Sequence, residues 1–154
     1  MTSKIAIGVF AALVVLLVLA AGALLMLASS SRRMAVELGV SDGRLAECPA
    51  TPNCVCSDAA LADSHHITAI QDPTGSKWAN LPATVGAMDG AMLVRSDDRY
   101  AYFTFTSRVM RFVDDVEFHY RPEAREIAVR SASRVGRGDL NANRNRLESI
   151  RAAL

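Results

Sequence analysis

Three cysteines fall within nine residues, Cys48, Cys54 and Cys56, and two adjacent histidines, His65 and His66, follow them. Thiolate and imidazole are the usual zinc ligands, so this stretch is the first place to look for chemistry. Its spacing suits a metal poorly. There is no C-x2-C and no matching Cys/His module downstream, and neighbouring histidines project in different directions on a regular backbone. No metal site is expected. Pro49, Pro52 and Asn53 make this stretch a tight loop, closed to a regular helix or a central strand. A Cys48–Cys54 disulfide across the loop is the simpler reading, and it requires a domain that faces an oxidising compartment. Cys56 is then left over, as a buried thiol or an occasional oxidation site.

A second cluster lies in Phe112–His119. Read as a strand, that segment puts Asp115, Glu117 and His119 on one face and Val116, Phe118 and Tyr120 on the other. Carboxylates beside an imidazole suit general acid/base work, which makes Asp115, Glu117 and His119 the catalytic candidates. The same three residues also describe a polar, solvated strand face whose charges pair across to Arg130 on the next strand, and the pairing is favoured. The third cluster runs from Arg130 to Asp139, with Arg134, Gly136, Arg137 and Gly138 punctuating it before a helical pattern resumes. It could hold an anion at the N-terminus of the last helix. Against this stands a strand-to-helix connection whose arginines bind Asp114 or Asp115, which is again the favoured reading. Ser107, Ser131 and Ser133 lack a nucleophile-elbow context, and no glycine-rich phosphate loop or H-E-x-x-H pair occurs, so no cofactor is expected.

The elements that would position these clusters can be read from periodicity. Ile5 to Ala28 is an uncharged run of 24 residues rich in Leu, Val, Ala and Ile. About 20 such residues cross a bilayer as a helix, so a transmembrane helix is expected over residues 5–28, after a tail of residues 1–4, with the lipid bilayer as its partner. Ala28 and Ser30 stand in an A-x-A-like relation, which admits a cleavable signal peptide, but the run is longer than a signal h-region and an uncleaved anchor is favoured. Lys4 flanks one end and Arg32 and Arg33 the other, so charge alone does not orient the span. The cysteine pair favours an extracytoplasmic, periplasmic-type location for the rest. Residues 29–44 read as a linker and 45–154 as one soluble α+β domain. That domain should carry a short helix over Lys77–Met88 capped by Thr74 or Ser76, then four strands, Ala91–Arg95, Tyr100–Thr106, Val113–Tyr120 and Glu126–Ser133, in an antiparallel meander. A final helix after Asp139, with Leu140, Leu147, Ile150 and Leu154 at helical spacing, should pack on one face of the sheet.

Composition narrows the partners. Seventeen basic against 16 acidic residues give a net charge of +1, which lacks the one-sided basic balance of a nucleic-acid binder. The apolar fraction of 51% owes much to the first 28 residues.

Taken together, Cys48-Pro49-x-x-Pro52-Asn53-Cys54-Val55, Phe112-Val113-Asp114-Asp115-Val116-Glu117-Phe118 and Arg130-Ser131-Ala132-Ser133-Arg134-Val135-Gly136, followed by Asp139-Leu140 and Asn143-Arg144, resemble the family called domain of unknown function 1499. The likeness runs from about Leu45 to the end. It matches Cys48 and Cys54, the Asp114-Asp115-x-Glu117 run and the Arg130–Gly136 run; Cys56 departs from it, since serine is more usual there. The resemblance implies an uncharacterised domain and lends no catalytic assignment. Its shared polar positions make Asn53, Asp114, Arg130 and Arg134 the ligand-binding candidates. Two functions are therefore expected to compete: a non-enzymatic envelope domain that binds a small ligand or partner protein, and an envelope hydrolase using Asp115, Glu117 and His119. A purely structural envelope component is the third reading.

Overall fold

A computed structural model describes residues 2–34, 36 and 38–154, with the side chains of residues 2–4 excepted. Ala35 and Glu37, inside the expected linker, and Met1, in the expected tail, lie outside the described residues. The first element is α1, Thr2–Arg33. From Ile5 to Arg33 it is long and apolar enough to cross a membrane, its most apolar stretch of 18 residues having a mean hydropathy of 2.9. The helix continues past Ala28 through Ser29–Arg33, where a linker was expected. Its last turn is held by side chains: Ser31 Oγ donates to the Ala28 carbonyl at 2.8 Å, and Arg134 donates to the carbonyls of Ser31 and Met34. The Ser31 and Met34 carbonyls would otherwise be unpaired at the helix end.

A two-residue hairpin follows, β1 (Val40–Ser41) against β2 (Arg44–Leu45). The remaining elements are β3 (Cys54–Cys56), β4 (Ile70–Gln71), α2 (Ser76–Gly86), β5 (Ala91–Ser96), β6 (Tyr100–Thr106), β7 (Val113–Arg121), β8 (Glu126–Ser133) and α3 (Ala142–Ala153). The class is α+β. The sheet is larger than the four strands expected: it has six, in the order β3-β8-β7-β6-β5, with β4 also pairing β8. The two extra strands are three and two residues long, too short for period-2 alternation to reveal. Cys54–Cys56 is one of them, so the loop that opens at Cys48 ends at Asn53. As an edge strand, β3 tolerates the prolines just before it.

One face of the sheet is the apolar core. Ala101, Phe103 and Phe105 of β6, Val116 and Phe118 of β7, and Ile127 and Val129 of β8 are buried there with Leu81 and Val85 of α2 and Leu147 and Ile150 of α3. Phe103 and Phe118 meet edge to face at 6.0 Å. At the start of α2, Asp72 accepts hydrogen bonds from the N–H groups of Lys77 and Trp78, at 3.3 and 2.8 Å. Thr74 Oγ1 meets the Ser76 hydroxyl at 2.8 Å and, of the backbone, only Ser76 N at 3.4 Å; Ser76 is already helical, so the principal cap lies two residues upstream of the expected one. Asp139 does cap the last helix, accepting from Asn141 N and Asn143 N. Leu140, expected on the buried stripe, is 99% exposed, because α3 begins two residues later and Leu140 turns outward with φ 52°.

Candidate functional site

Alternation along β7 sends Asp114 and Asp115 to opposite sides of the sheet, and this divides the candidate residues into two groups. On the helix side, Asp114 pairs with Arg146 of α3 at 2.5 Å. Arg146 also donates to Ser131 Oγ and to Asn143 Oδ1, and Asn143 donates to Asp139, Ser133 Oγ and the Asn53 carbonyl. Asn53 is 2% exposed and donates to the carbonyl of Gly136 at 2.9 Å and more weakly to that of Ser133. Asn53, Asp114, Ser131, Ser133 and Asn143 therefore form one hydrogen-bonded belt. It ties the cysteine loop, β7, β8 and the start of α3 together. The N–H groups at the start of α3, the proposed anion cradle, are met by Asp139 instead.

On the opposite side lie Asp115, Glu117, His119, Arg130 and Arg134. This face was expected to be solvated, and it is not: Asp115 is 2% exposed and Glu117 0%. The end of α1 and the β1–β2 hairpin roof it, with Ser31 and Leu45 buried and Gly39 N donating to Glu117 Oε1 at 2.8 Å. Two parallel triads result. Glu117 faces Arg130 in register and accepts from its Nη1 at 3.0 Å, while Tyr100 Oη donates to Glu117 Oε1 at 2.7 Å. Asp115 accepts both Nε and Nη2 of Arg134, the latter at 2.7 Å, and the Tyr102 hydroxyl at 2.7 Å. Each tyrosine reaches the carboxylate diagonally across from it, a contact that twisted antiparallel strands permit. Charge-assisted bonds of this kind are the strong class, and they occupy both carboxylates. Arg130 Nε is the one buried side-chain donor without a partner among the described residues.

Electrostatics follow from this burial. Burial, with the Glu117 carboxylate beside it, pushes the Tyr100 hydroxyl well above the ordinary phenol range. Tyr102 is pushed up to about 12 by burial and by Asp115. Burial, together with Arg121, lowers His119, whose Nδ1 accepts from Arg121 Nε at 3.3 Å. His119 is therefore a neutral imidazole with one nitrogen already engaged. Arg121 in turn bonds Asp58 at 2.6 Å and Glu126 at 3.3 Å. Burial works against the Asp58 carboxylate, but the bonds from Arg121 and Leu45 N outweigh it and hold Asp58 below its usual value. Sequence reasoning missed Asp58, Tyr100, Tyr102 and Arg146. For the tyrosines a signal was present: they recur at i and i+2 on β6, facing the Asp115/Glu117 side.

Cys48 and Cys54 are joined as a disulfide with Cα atoms 5.7 Å apart, inside the span such bonds require. Cys56 is a buried free thiol, raised by desolvation. His65 bonds Asp63 and the Thr51 carbonyl, and His66 bonds the Ala59 carbonyl. Among the described residues, no three Cys, His, Asp or Glu side chains converge as a ligand set.

A cleft of about 740 Å³ opens over the tyrosine face. Arg44, Arg95, Arg99, Tyr100 and His119 line it, with Glu47 and Asp97 as its carboxylates. Arg95 is engaged by Asp97, and Arg99 by Glu123. The profile of the family described as "Protein of unknown function (DUF1499)" matches residues 44–154. The chain belongs to DUF1499. No curated protein and no solved structure matches it. Within this DUF1499 domain the three motif runs are spent chiefly on each other: the cysteine loop meets the Arg130–Gly136 run through Asn53, and that run meets the Asp114–Glu117 strand through Arg130 and Arg134.

Proposed function

We propose that this protein is a membrane-anchored, non-catalytic DUF1499 domain of the cell envelope, held by α1, and that it binds a small anionic ligand in the cleft over Tyr100 and His119. One observation supports this reading above the others. Asp114, Asp115 and Glu117 each bond an arginine within 3.0 Å, so none of these three is free to act as base, while the adjacent cleft is lined by three arginines and an imidazole against the two carboxylates of Glu47 and Asp97. A rim of that kind attracts carboxylates and phosphates. The disulfide supports an oxidising, extracytoplasmic side for the domain. Asn53, Asp114, Arg130 and Arg134 then serve as the frame behind the cleft, not as ligand contacts.

The test uses the full chain in detergent micelles, with thermal shift against inorganic phosphate, phosphate monoesters and small carboxylates. A ligand that binds only the folded form at about a hundred times its Kd adds about 2.7 kcal/mol. The shift should vanish in the Arg44→Gln/Arg99→Gln variant. Turnover of an ester, phosphate or glycoside panel that is lost in Glu117→Ala would replace the binder with the hydrolase. No shift and no turnover would leave a structural envelope component. For topology, a C-terminal alkaline phosphatase fusion should be active; a silent fusion would overturn the extracytoplasmic placement.

A further inference from the structure

Two loops flank the exit of α1. The β6–β7 loop, residues 107–112, touches it through Arg32, whose Nη1 donates to the Arg111 carbonyl at 3.2 Å. The β8–α3 loop, residues 134–141, reaches it through Arg134 on the Ser31 carbonyl. Between the loops and the helix lies an apolar groove of about 410 Å³ lined by Leu24, Leu27, Phe112, Val113 and Val135. Ala28, 1% exposed, is buried where helix and domain meet.

Depth follows from helix geometry. Twenty residues at 1.5 Å each span about 30 Å, the thickness of the hydrocarbon core, so a span that enters at Ile5 leaves near Leu24. Any part of the domain beside Leu24 and Leu27 then sits in the headgroup layer. In these same loops stand two bare apolar side chains, Val109 at 86% and Leu140, just before α3, at 99% exposure. Arg33, Arg111 and Arg137 share this end of the molecule, and none has a carboxylate partner among the described ion pairs. Bare apolar side chains beside unpaired cations are awkward in water but suited to a bilayer surface, where acyl chains and phosphates lie a few ångströms apart.

We infer that the β6–β7 and β8–α3 loops seat the domain directly on the bilayer, with Val109 and Leu140 dipping into it and Arg111 and Arg137 meeting anionic phospholipid headgroups. The inference rests on the anchor reading of α1. The domain is thus held in one orientation, with the Tyr100 end of the sheet, and its cleft, turned away from the membrane. Strand β6 ends at the seated loop and begins at Tyr100.

The test reconstitutes the full chain in nanodiscs of phosphatidylcholine, with and without phosphatidylglycerol, as Leu140→Trp and Val109→Trp variants. Trp78 bonds the Asp98 carbonyl in the turn before β6, at the far end of that strand, and serves as an internal control. Brominated lipids should quench the added tryptophans and leave Trp78 unchanged. Amide exchange of residues 107–112 and 135–141 should slow with phosphatidylglycerol, and each of Arg111→Gln and Arg137→Gln should reverse that protection about fivefold. A chain that stays with the lipid after carbonate washing but shows no quenching overturns the seating and leaves the anchor intact. Quenching with no dependence on phosphatidylglycerol or on the arginines overturns the headgroup half. A chain released by carbonate overturns the anchor, and the seating with it.

Discussion

Replacing Arg130 by methionine would leave Glu117 buried and charged with no counter-ion. Glu117 is fully enclosed and has three donors: Tyr100 Oη at 2.7 Å, Gly39 N at 2.8 Å and Arg130 Nη1 at 3.0 Å. Two neutral donors would remain, and breaking a buried ion pair by removing one partner costs about 3–5 kcal/mol. The unpaired Arg130 Nε subtracts from the worth of the pair, since an orphaned donor costs about 1–3 kcal/mol that the variant recovers. The net loss should therefore be about 2 kcal/mol, or a Tm lowered by about 5–10 °C for a domain of this size. The double variant Glu117→Gln/Arg130→Met keeps an acceptor for Tyr100 and Gly39 but buries no charge, so its loss should fall short of the summed single losses by about 2 kcal/mol. Guanidinium unfolding of all four proteins, followed by tyrosine and tryptophan fluorescence, reads this directly. Additive losses, or an Arg130→Met variant within about 0.5 kcal/mol of the parent, would refute the reasoning. Such a result would return Glu117 to the list of groups available for chemistry.

Two further outcomes follow from the same geometry. Asp58 is held below its usual value by Arg121 and Leu45 N, so its contribution is fully present above the unfolded carboxylate pKa of about 3.9 and is lost as pH falls through the lower folded value. The Tm gap between parent and Asp58→Asn should be flat from pH 7 to 5 and close below pH 4; a gap that widens on acidification would contradict the ion-pair assignment. A non-reducing peptide map should show Cys48 joined to Cys54 and Cys56 free, and Cys48→Ser/Cys54→Ser should cost at most about 2–3 kcal/mol, because so short a loop removes little unfolded-state entropy.

Strands β6 and β8 were legible to the residue, because period-2 alternation over seven or eight residues is a strong signal bounded here by turns. The disulfide was legible from spacing and the family from its three ordered motifs. What could not be read was the roof. Gly39 and Leu45 looked like linker and domain edge, yet Gly39 N bonds Glu117 and Leu45 is 3% exposed. No periodicity marks a residue whose partner lies 78 positions away, as Glu117 does from Gly39. The face of β7 that carries Asp115 and Glu117 therefore looked solvated. Its acidic residues gave no sign of burial, since carboxylates almost never occupy interiors unless paired. The pairing with Arg130 was anticipated because the two strands are neighbours. The tie between Arg134 and α1 was not, because it joins residues a hundred apart.

That tie bears on whether α1 is retained. A signal peptidase acting at the Ala28-x-Ser30 site would remove Leu24, Leu27 and Ala28 and leave Ser31 as the new terminus. Each of these residues is part of the domain's own packing. Ala28 is buried, Leu24 and Leu27 wall the groove against Phe112 and Val135, and Ser31 Oγ accepts from Val113 N at 3.3 Å. Cleavage would expose Val113 and Phe112 and would leave Arg134, now bonded to Asp115, Tyr102 and the Ser31 carbonyl, beside a cationic amine. A positive terminus next to a guanidinium is repulsive, and the apolar wall would be lost along with the helix. A leader destined for removal has no physical reason to be bonded through Ser31 and packed through Ala28 onto the domain it leaves behind. The mature protein should therefore carry the intact N-terminal helix, and intact-mass analysis of the membrane fraction checks this. A mass short by the first thirty residues would show that the domain stands without it.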